Sequence, residues 1–243
     1  KNDCPTGKDM MEHIEETNGI KFTDIFLNAI NEIYATYLSY SHIVVFCMDA
    51  RKDGIYWRNK ILLEYKLNRD TTSHLQLVIN HFITELPQLN FKYLQLPGCE
   101  ADDIIASIAI NYQNQFSKII IHSKDKDFNQ LVAGNVTCTS CPIAISNESH
   151  LAMILGGDRA DGIPNVISDD DAIVNPDKRQ NTLGRKLKET YIQTIVSGDE
   201  LTGNVLKNYV RNKRLMDLRC IPESIVKKIL VKFEEFINEN DVR

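Results

Sequence analysis

The chain has 243 residues, of which 43% are hydrophobic and 25% are charged, and this balance excludes a disordered or fibrous protein. Its formal net charge of −5 argues, at first, against a nucleic-acid partner. No apolar run reaches the roughly 20 residues of a membrane span, and the polar start lacks the apolar core of a signal peptide. Six cysteines are scattered along the chain, and only Cys138 and Cys141 have a paired spacing. This favours free thiols in the reducing cytoplasm over structural zinc.

Helical and strand-like apolar patterns alternate in the first half of the chain, which is typical of an α/β fold with a mostly parallel central sheet flanked by helices. Helices are predicted at 22–40, 56–69, 75–86 and 100–112, and strands at 42–48, 91–96 and 118–122. Asp49 directly follows the first of these strands, and Asp125 follows the last. Functional sites of such sheets form beyond the carboxyl ends of the strands. We therefore expect Asp49 and Asp125 to lie at one edge of the sheet.

From about residue 143 the strand patterns disappear and helical patterns remain. Helices are predicted at 150–155, 183–196, 201–215 and 224–238, with a polar loop at 168–182. This change of character predicts two domains, an α/β core at 1–142 and a helical subdomain at 143–243.

Three short acidic clusters are the most informative feature of the sequence. They are Glu100-Ala-Asp102-Asp103, Asp125-Lys-Asp127 and Asp158-Arg-Ala-Asp161. Two like charges about 4 Å apart repel by roughly 4 kcal/mol at an effective dielectric of 20, so a folded site would hold such a set only around cations. Carboxylate oxygens suit Mg²⁺ or Mn²⁺ and suit zinc poorly. Two-metal phosphodiester cleavage is the chemistry that most often uses such a site.

Spacing within the first cluster suggests how its members divide. Glu100 and Asp103 are three residues apart on the first turn of a helix and are expected to share a face, whereas Asp102 is expected to point elsewhere. For Asp158 and Asp161, the alternative to metal binding is a helix or turn cap. Setting aside the seven clustered acids and Asp49 leaves 25 acidic against 28 basic residues. The rest of the surface can therefore face a phosphate backbone.

The same acidic clusters resemble the motifs of a known family. Residues 98–106 (GCEADDIIA), 123–128 (SKDKDF) and 157–163 (GDRADGI) are similar, in order and spacing, to those of the 5′-nucleases. That family comprises flap endonucleases and the 5′→3′ exonuclease domains of bacterial polymerases. Residues 56–58 (YWR), 64–69 (EYKLNR) and 208–222 are similar to the branch of the family formed by the ribonucleases H of T-even bacteriophages.

The resemblance implies a PIN-like 5′-nuclease core with a basic helical arch near 56–86, followed by a subdomain of helix–three-turn–helix type. It implies two Mg²⁺ ions, with Mn²⁺ as a substitute. The implied ligands are Asp49, Glu100, Asp102, Asp103 and Asp125 for the first ion, and Asp127, Asp158 and Asp161 for the second. Asp125, Lys66 and Arg69 are implied to be catalytic. The implied nucleic-acid contacts are Arg58, Tyr65, Lys66, Arg69, Arg185, Lys186 and Lys188.

For two of these groups the residues themselves leave an alternative open. Lys66 and Arg69 could simply line a solvated helix face, and Tyr65 could pack in the core rather than stack on a base. The glycine pattern usual in the helix–three-turn–helix element is reduced to residues 183–186, so we expect duplex binding there without a potassium site. The opening strand of the family, with its metal-binding Asp, has no counterpart before Phe22. We expect that strand upstream of Lys1.

The leading hypothesis is a metal-dependent 5′-nuclease that acts on RNA–DNA or DNA duplexes and on flaps, as in RNA primer removal during replication. The alternatives are a PIN-like endoribonuclease and a structure-specific DNA-binding protein that does not cleave. The resemblance also implies a monomer in the cytoplasm, of a bacterial host if the gene is a phage's. Its expected partners are replication proteins such as a single-strand-binding protein or a sliding clamp.

Overall fold

The computed structural model describes residues 6–37, 43–50, 55–69, 74–86 and 92–240. The chain forms two compact units, one within Lys1–Phe46 and Asp70–Tyr93 and the other within Cys47–Arg69 and Leu94–Arg243. The predicted boundary after residue 142 falls inside the second unit, and it stays a prediction. Among the described helices, none is both long and apolar enough to cross a membrane.

Three helices form the described part of the first unit: α1 (Gly7–Asn18), α2 (Phe22–Tyr37) and α3 (His74–Glu85). α1 packs along α3. An edge-to-face pair of Phe26 and Phe82, with ring centroids 5.2 Å apart, joins α2 to α3. The predictions at 22–40 and 75–86 are confirmed as α2 and α3, although residues 38–40 lie outside the described ranges.

Nothing in the apolar pattern indicates α1, because its sequence is polar. Its ends are nevertheless set by local chemistry. Asp9 N donates to Thr6 Oγ1 at 3.2 Å while Thr6 N donates to Asp9 Oδ2 at 2.8 Å, which closes a capping box. The helix ends at Gly19, whose φ of 67° is left-handed.

Two short parallel strand pairs lie in the second unit. β1 (Cys47–Met48) pairs with β2 (Leu94–Gln95), and β3 (Ile119–Ile121) pairs with β4 (Val136–Cys138). The predicted parallel pairing is confirmed for these strands, but the described residues form two separate two-stranded ladders instead of one sheet. β4 has no counterpart in the prediction, because Val136-Thr-Cys138 has polar residues within and around it and lacks the continuous apolar run that indicates β3.

Helices α4 (Ala101–Tyr112) and α8 (Glu223–Asn240) pack against each other beside the strands. Ile104 of α4 and Phe233 of α8 are almost wholly buried, and burial of each such side chain contributes about 1.5–3 kcal/mol. The Tyr112 ring meets the Phe233 ring edge-on, with centroids 4.8 Å apart. This packing fixes the N-terminus of α4, where the first acidic cluster lies.

The predicted C-terminal helices are all confirmed. They are α5 (Asn147–Gly156), α6 (Arg185–Val196), α7 (Gly203–Met216) and α8. A hydrophobic cluster that includes Leu155, Val166 and Ile192 packs α5 and α6 on the loop between them. The fold is therefore a mixed α/β arrangement followed by helices.

The prediction of a helix over 56–69 is wrong. Only Trp57–Lys60 forms a short 3₁₀ helix, and turns follow it. Leu62 and Tyr65 are buried with Ile163 in one hydrophobic cluster, and Lys66 has a left-handed φ of 60°. Tertiary packing thus overrides the helical propensity of this segment. Of the predicted basic arch near 56–86, residues 56–69 are not an α-helix, whereas residues 74–85 form α3.

Candidate metal and nucleic-acid site

The first acidic group forms where β1 ends and α4 begins. Asp49 follows β1, and its Oδ1 accepts a hydrogen bond of 2.8 Å from Ala101 N at the start of α4. The side chain of Gln95, on the neighbouring strand β2, donates to Asp49 O at 2.6 Å. The parallel strand pair and the helix N-terminus therefore fix Asp49 together, as the position after a strand predicts.

Asp102 and Asp103 lie in different environments at the start of α4, as helical spacing predicts. Burial, and after it the charges of Asp125 and Asp49, raise the pKa of Asp102 to about 6. Asp103 instead points inward and is wholly buried. Glu100 and Asp103 therefore share a face, as their spacing predicts, and Arg58 Nη1 contacts both of them in the interior.

The second acidic group begins in the loop after β3. Asp125 Oδ1 accepts a hydrogen bond of 2.8 Å from Asp127 N, which opens a short 3₁₀ helix. Burial, and after it the charges of Asp125, Asp158 and Asp161, raise the pKa of Asp127 to about 6. Asp125 thus acts electrostatically on both groups, and it links Asp49 and Asp102 to the acids of the third cluster.

A tight loop presents Asp158 and Asp161. Asp158 N donates to Ile163 O at 2.9 Å, and Ile163 N donates back to Asp158 O at 2.7 Å. Asp158 Oδ1 also caps the turn through Ala160 N at 2.7 Å. Gly157 has a φ of 68°, and a Cβ there would collide with the Ile163 carbonyl. Asp158 therefore caps the turn, which was the alternative to metal binding. The cap uses Oδ1 and leaves Oδ2 of that carboxylate outside the turn.

Helix α7 holds this loop from behind. The buried side chains of Arg211 and Asn212 both donate to Pro164 O, at 3.0 Å and 2.9 Å. Asn208 donates to Val166 O at 3.0 Å. Three polar side chains one turn apart therefore satisfy the carbonyls of the chain that leaves the acidic loop.

Arg58 neutralises part of the first cluster from inside the protein. Its side chain is 4% exposed. Nη1 donates to Glu100 Oε2 at 2.8 Å and to Asp103 Oδ2 at 3.0 Å, while Nε donates to Leu215 O at 2.9 Å. The guanidinium lies over the Trp57 ring, 4.5 Å from its centroid. An arginine enclosed in this way does not reach a nucleic acid in this conformation, which argues against the predicted contact.

Two further predicted roles change for the same reason. Tyr65 is buried, and its hydroxyl donates to Glu100 Oε2 at 2.7 Å and to Asp161 Oδ2 at 3.2 Å. Its ring is not available to stack on a base, so the core-packing alternative is the one observed. Asp103 and Glu100 have their oxygens directed at Arg58, Tyr65 and Lys66, which argues against their direct place in a ligand set in this conformation.

Lys66 bridges the first and third clusters. Its Nζ is ion-paired with Glu100 and lies 3.8 Å from Asp161 Oδ2, and its backbone N donates to Asp161 O at 2.8 Å. Burial lowers the pKa of Lys66, and the nearby Asp161 charge partly offsets this. Lys66 also has the left-handed φ of 60°. This conformation costs free energy in a non-glycine residue and is often found at functional sites. Arg69 is ion-paired with Asp161 as well.

The acidic side chains of the site fit the predicted metal ions in their chemistry but do not form a closed cage. Within the described ranges, no three Asp, Glu, His or Cys side chains converge closely enough to form a metal-ion cage. In this region, basic side chains pair with Glu100, Asp103 and Asp161. The oxygens of the other acids nevertheless have the chemistry that a divalent cation needs. Asp49, Asp102, Asp125, Asp127 and Asp158 offer hard oxygens, and the charges of neighbouring acids contribute to the raised pKa values of Asp102 and Asp127. A divalent cation would relieve that repulsion.

The predicted duplex-binding patch lies at the start of α6. Arg185 is highly exposed and pairs with Glu189 one turn later, Lys186 is exposed, and Lys188 is half-buried. Lys178 lies in the loop before α6 and is ion-paired with Asp169 at 3.2 Å and with Asp171 at 2.8 Å. The contact of these side chains with nucleic acid stays a prediction.

Sequence reasoning missed the role of Trp57, the single tryptophan of the chain. Its indole nitrogen donates to Asp103 Oδ2 at 3.0 Å, and the ring is 6% exposed. The one available signal is its position next to Arg58, since a buried indole needs an acceptor for its N–H.

Comparisons with known proteins agree with this architecture. Residues 9–155 match the family description 5′-3′ exonuclease, N-terminal resolvase-like domain. A 5′-3′ exonuclease of Buchnera aphidicola (subspecies Acyrthosiphon pisum, strain APS) is 35% identical over 127 residues, which cover 51% of this chain and 43% of the relative. The ribonuclease H of Enterobacteria phage T4 is 26% identical over 252 residues, which cover 91% of this chain and 80% of the relative.

Among solved structures, a bacteriophage T5 flap endonuclease in a complex with DNA and metal ions has a TM-score of 0.60 at 18% identity. The alignment covers 88% of this chain and 90% of that one, and at this identity it shows a shared fold. The matched regions span about half the length of the bacterial exonucleases, 43% and 51% in two of them. The family match covers more than half of the present chain, and the chain belongs to the 5′-3′ exonuclease family.

Proposed function

We propose that the chain is a divalent-metal-dependent 5′-nuclease that hydrolyses phosphodiester bonds near the 5′ ends of RNA–DNA or DNA duplexes and at flaps. The observation that carries the proposal is the electrostatic coupling of two acidic groups through Asp125, together with Lys66, whose charge acts on Asp102 and whose Nζ lies 3.8 Å from Asp161 Oδ2. Phosphoryl chemistry needs such a pairing, because it combines cation-binding oxygens with a positive group for the negatively charged substrate.

Six carboxylates would hold the cations. Asp49, Asp102 and Asp125 would bind the first, and Asp127 and Asp158 would bind the second together with Asp161. Mg²⁺ is the proposed ion, because it favours carboxylate oxygens and keeps several waters, so that the wider second group suits it. When bound, such ions activate water and neutralise charge on the phosphate. Glu100 would join the first group only by exchanging its Lys66 partner.

Lys66 and Arg69 would contact the phosphate of the substrate. Both now pair with acids of the site, Lys66 with Glu100 and Asp161 and Arg69 with Asp161. A phosphodiester brought to the acids competes for these cations, so each side chain can transfer to a phosphate oxygen over a short distance. The partial burial of Lys66 strengthens that interaction. Arg58 stays inside and keeps α4 in place.

The helical part of the chain would grip the duplex. We place the nucleic-acid contacts on Arg185, Lys186 and Lys188, at the N-terminus of α6, within a helix–three-turn–helix type of element. A helix N-terminus and basic side chains fix the register of a backbone without reading bases. The loop before α6 is internally bonded, since Asn165 Nδ2 donates to Asn181 O at 2.8 Å. That rigidity suits contact with a regular duplex.

A cleavage assay tests the proposal. Full-length protein is incubated with 5′-labelled RNA–DNA hybrid, flap DNA and single-stranded RNA, with Mg²⁺, with Mn²⁺ or with chelator. We expect metal-dependent products from the first two substrates. Asp125→Asn should abolish cleavage and leave flap binding almost unchanged, because it removes a shared ligand and no backbone contact. Glu148→Gln, an exposed acid on α5, serves as the matched control and should cut like wild type.

One observation favours a second candidate. Because no three acids converge into a cage within the described ranges, a structure-specific DNA-binding protein that does not cleave is the competing function. Flap binding without cleavage in either metal would support it and reject the nuclease. Internal cleavage of single-stranded RNA alone would instead support a PIN-like endoribonuclease. The cytoplasm, a monomeric state, and a single-strand-binding protein or sliding clamp as partners stay predictions.

A further inference from the structure

Two thiols lie beside the loop that carries Asp125, and no role above uses them. Cys138 is the last residue of β4 and is 2% exposed, while Cys141 is only partly buried. Ser140 Oγ lies between them, 3.7 Å from Cys138 Sγ and 3.9 Å from Cys141 Sγ. The pair is thus a preformed dithiol with one accessible and one enclosed member.

Each thiol also donates to a carbonyl of the loop after β3. Cys138 Sγ is 4.0 Å from Ser123 O, and Cys141 Sγ is 3.7 Å from Asp125 O. Within the loop, Asp125 N donates to Ser123 Oγ at 3.1 Å. The dithiol therefore tethers both ends of the three-residue segment that aims the Asp125 carboxylate.

We propose that Cys138 and Cys141 form a redox modification site, at which a low-molecular-weight disulfide converts the two thiols to an internal disulfide and weakens divalent-cation binding at Asp125. Formation of the disulfide is independent of the proposed function. Its effect on cation binding rests on that function.

The exchange proceeds in two balanced steps. Cys141, the accessible thiol, attacks one sulfur of the small disulfide as a thiolate, giving a mixed disulfide and one released thiol. Cys138 then attacks the Cys141 sulfur and expels the second small thiol. Two protein thiols lose two protons and two electrons, and the small disulfide takes them up to become two thiols. No further oxidant is required.

The consequence for the loop follows from the loss of both S–H groups. A disulfide has no donor, so Ser123 O and Asp125 O lose the hydrogen bonds that the thiols provide. The new bond also draws the two sulfur atoms together, away from those carbonyls. Partners that orient a metal ligand typically change metal affinity by about 10–100-fold when they are removed, and we expect about tenfold weaker Mg²⁺ binding.

Mass spectrometry tests the first half. Reduced full chain is incubated with oxidised glutathione, remaining thiols are trapped with N-ethylmaleimide under denaturing conditions, and peptides are analysed. We expect the peptide with Cys138 and Cys141 to be two hydrogens lighter and unalkylated. Cys141→Ser should yield no internal disulfide, whereas Cys220→Ser, the matched control at a partly buried thiol elsewhere, should behave like wild type. Full alkylation of both residues, or a lasting glutathione adduct on Cys141, would overturn the proposal.

Calorimetric Mg²⁺ titration of reduced and oxidised protein tests the second half. Weaker binding after oxidation, restored by dithiothreitol and absent in Cys141→Ser, supports the coupling. Equal affinity in a protein that binds Mg²⁺ and cleaves flaps overturns the coupling alone. A reduced protein that neither binds Mg²⁺ nor cleaves overturns the coupling together with the proposed nuclease function, while the disulfide result stands by itself.

Discussion

Arg58 Nη1 lies 3.0 Å from Asp103 Oδ2, and both side chains are buried. The same nitrogen contacts Glu100, so that one guanidinium compensates two carboxylates in the interior. Burial raises the pKa of Asp103, and the Arg58 charge opposes that rise. The arginine thus decides which acids of the first cluster remain for cations: Asp102 faces outward, and Asp103 does not.

Removal of Arg58 should destabilise the protein severely. Arg58→Met leaves the buried Asp103 without its cation and Glu100 with Lys66 as its remaining ion-pair partner, and breaking a buried ion pair in this way costs about 3–5 kcal/mol of unfolding free energy. Arg58→Lys should cost less, because the charge stays while the contact with Leu215 O is lost. Urea unfolding followed by Trp57 fluorescence measures both. Arg179→Met, at an exposed arginine, is the control and should change stability by less than about 0.5 kcal/mol.

The double variant Arg58→Met/Asp103→Leu separates charge from packing. If the cost arises from the uncompensated carboxylate, the double variant should be more stable than Arg58→Met alone. Equal stability of the two variants would contradict the role given to this pair.

The acidic group around Asp102 should impose a distinctive pH dependence on stability. Its folded pKa is about 6 against an ordinary value of 3.8, chiefly through burial and then through Asp125 and Asp49. Between these values the folded state binds more protons than the unfolded state, so the contribution of Asp102 to the unfolding free energy falls as pH rises from about 4 to 6. Above about pH 6, Asp102 is charged in both states, and the full destabilisation caused by burying its charge is present.

Asp102→Asn removes this contribution, so in chelator the variant should gain stability relative to wild type as pH rises through that window. Adding Mg²⁺ should reduce the difference, because a bound cation favours the charged carboxylate. Urea titrations at several pH values measure it. A wild-type-minus-variant difference that stays flat between pH 4 and 7 would refute the electrostatic grouping of Asp102 with Asp49 and Asp125.

The acidic loop depends on a glycine. At Gly157 the backbone φ is 68°, and a Cβ would overlap the carbonyls of Ile163 and Pro164. Gly157→Ala should therefore cost more than the roughly 1 kcal/mol of an ordinary strained position, because backbone must move as well. Gly134 also has positive φ but has open space around it, so Gly134→Ala is the matched control and should cost about 1 kcal/mol. Thermal unfolding of both variants measures the two losses of stability.

The sequence allows the positions of Asp49 and Asp125 to be predicted, because each follows an apolar strand and parallel strands end on one side. The C-terminal helices are equally readable from their apolar spacing. The inward turn of Asp103 could not be predicted, since helical spacing places Asp102 and Asp103 on different faces without saying which face is the interior. The same holds for Arg58 and Tyr65. Their burial depends on contacts with residues 35 to 157 positions away, which no local pattern encodes.

Lys66 should matter more for turnover than for folding. Lys66→Ala removes an ammonium that lies between Glu100 and Asp161, and loss of one such transition-state contact reduces turnover by about 10²–10³-fold. Lys66→Gly should lose the same activity but retain more stability than Lys66→Ala, because glycine adopts the left-handed φ of 60° freely. Single-turnover flap cleavage and urea unfolding measure the two effects. Lys60→Ala, at an exposed lysine nearby, should match wild type in both, and equal turnover in all four proteins would remove Lys66 from the chemistry.

The start of α6 should set the salt dependence of duplex binding. Each Lys or Arg that neutralises a phosphate adds about 0.9 to the slope of log affinity against log salt. Replacing Arg185 and Lys186 together with Ala should therefore weaken binding and flatten that slope by about 1–2. Fluorescence anisotropy of a labelled duplex, measured with Asp125→Asn as the background so that no cleavage occurs, gives affinity and slope. Lys178→Ala is the matched control, because Lys178 is already neutralised by Asp169 and Asp171 and should leave the slope unchanged. A slope that falls with Lys178→Ala and not with the double variant would place the duplex on the preceding loop instead of α6.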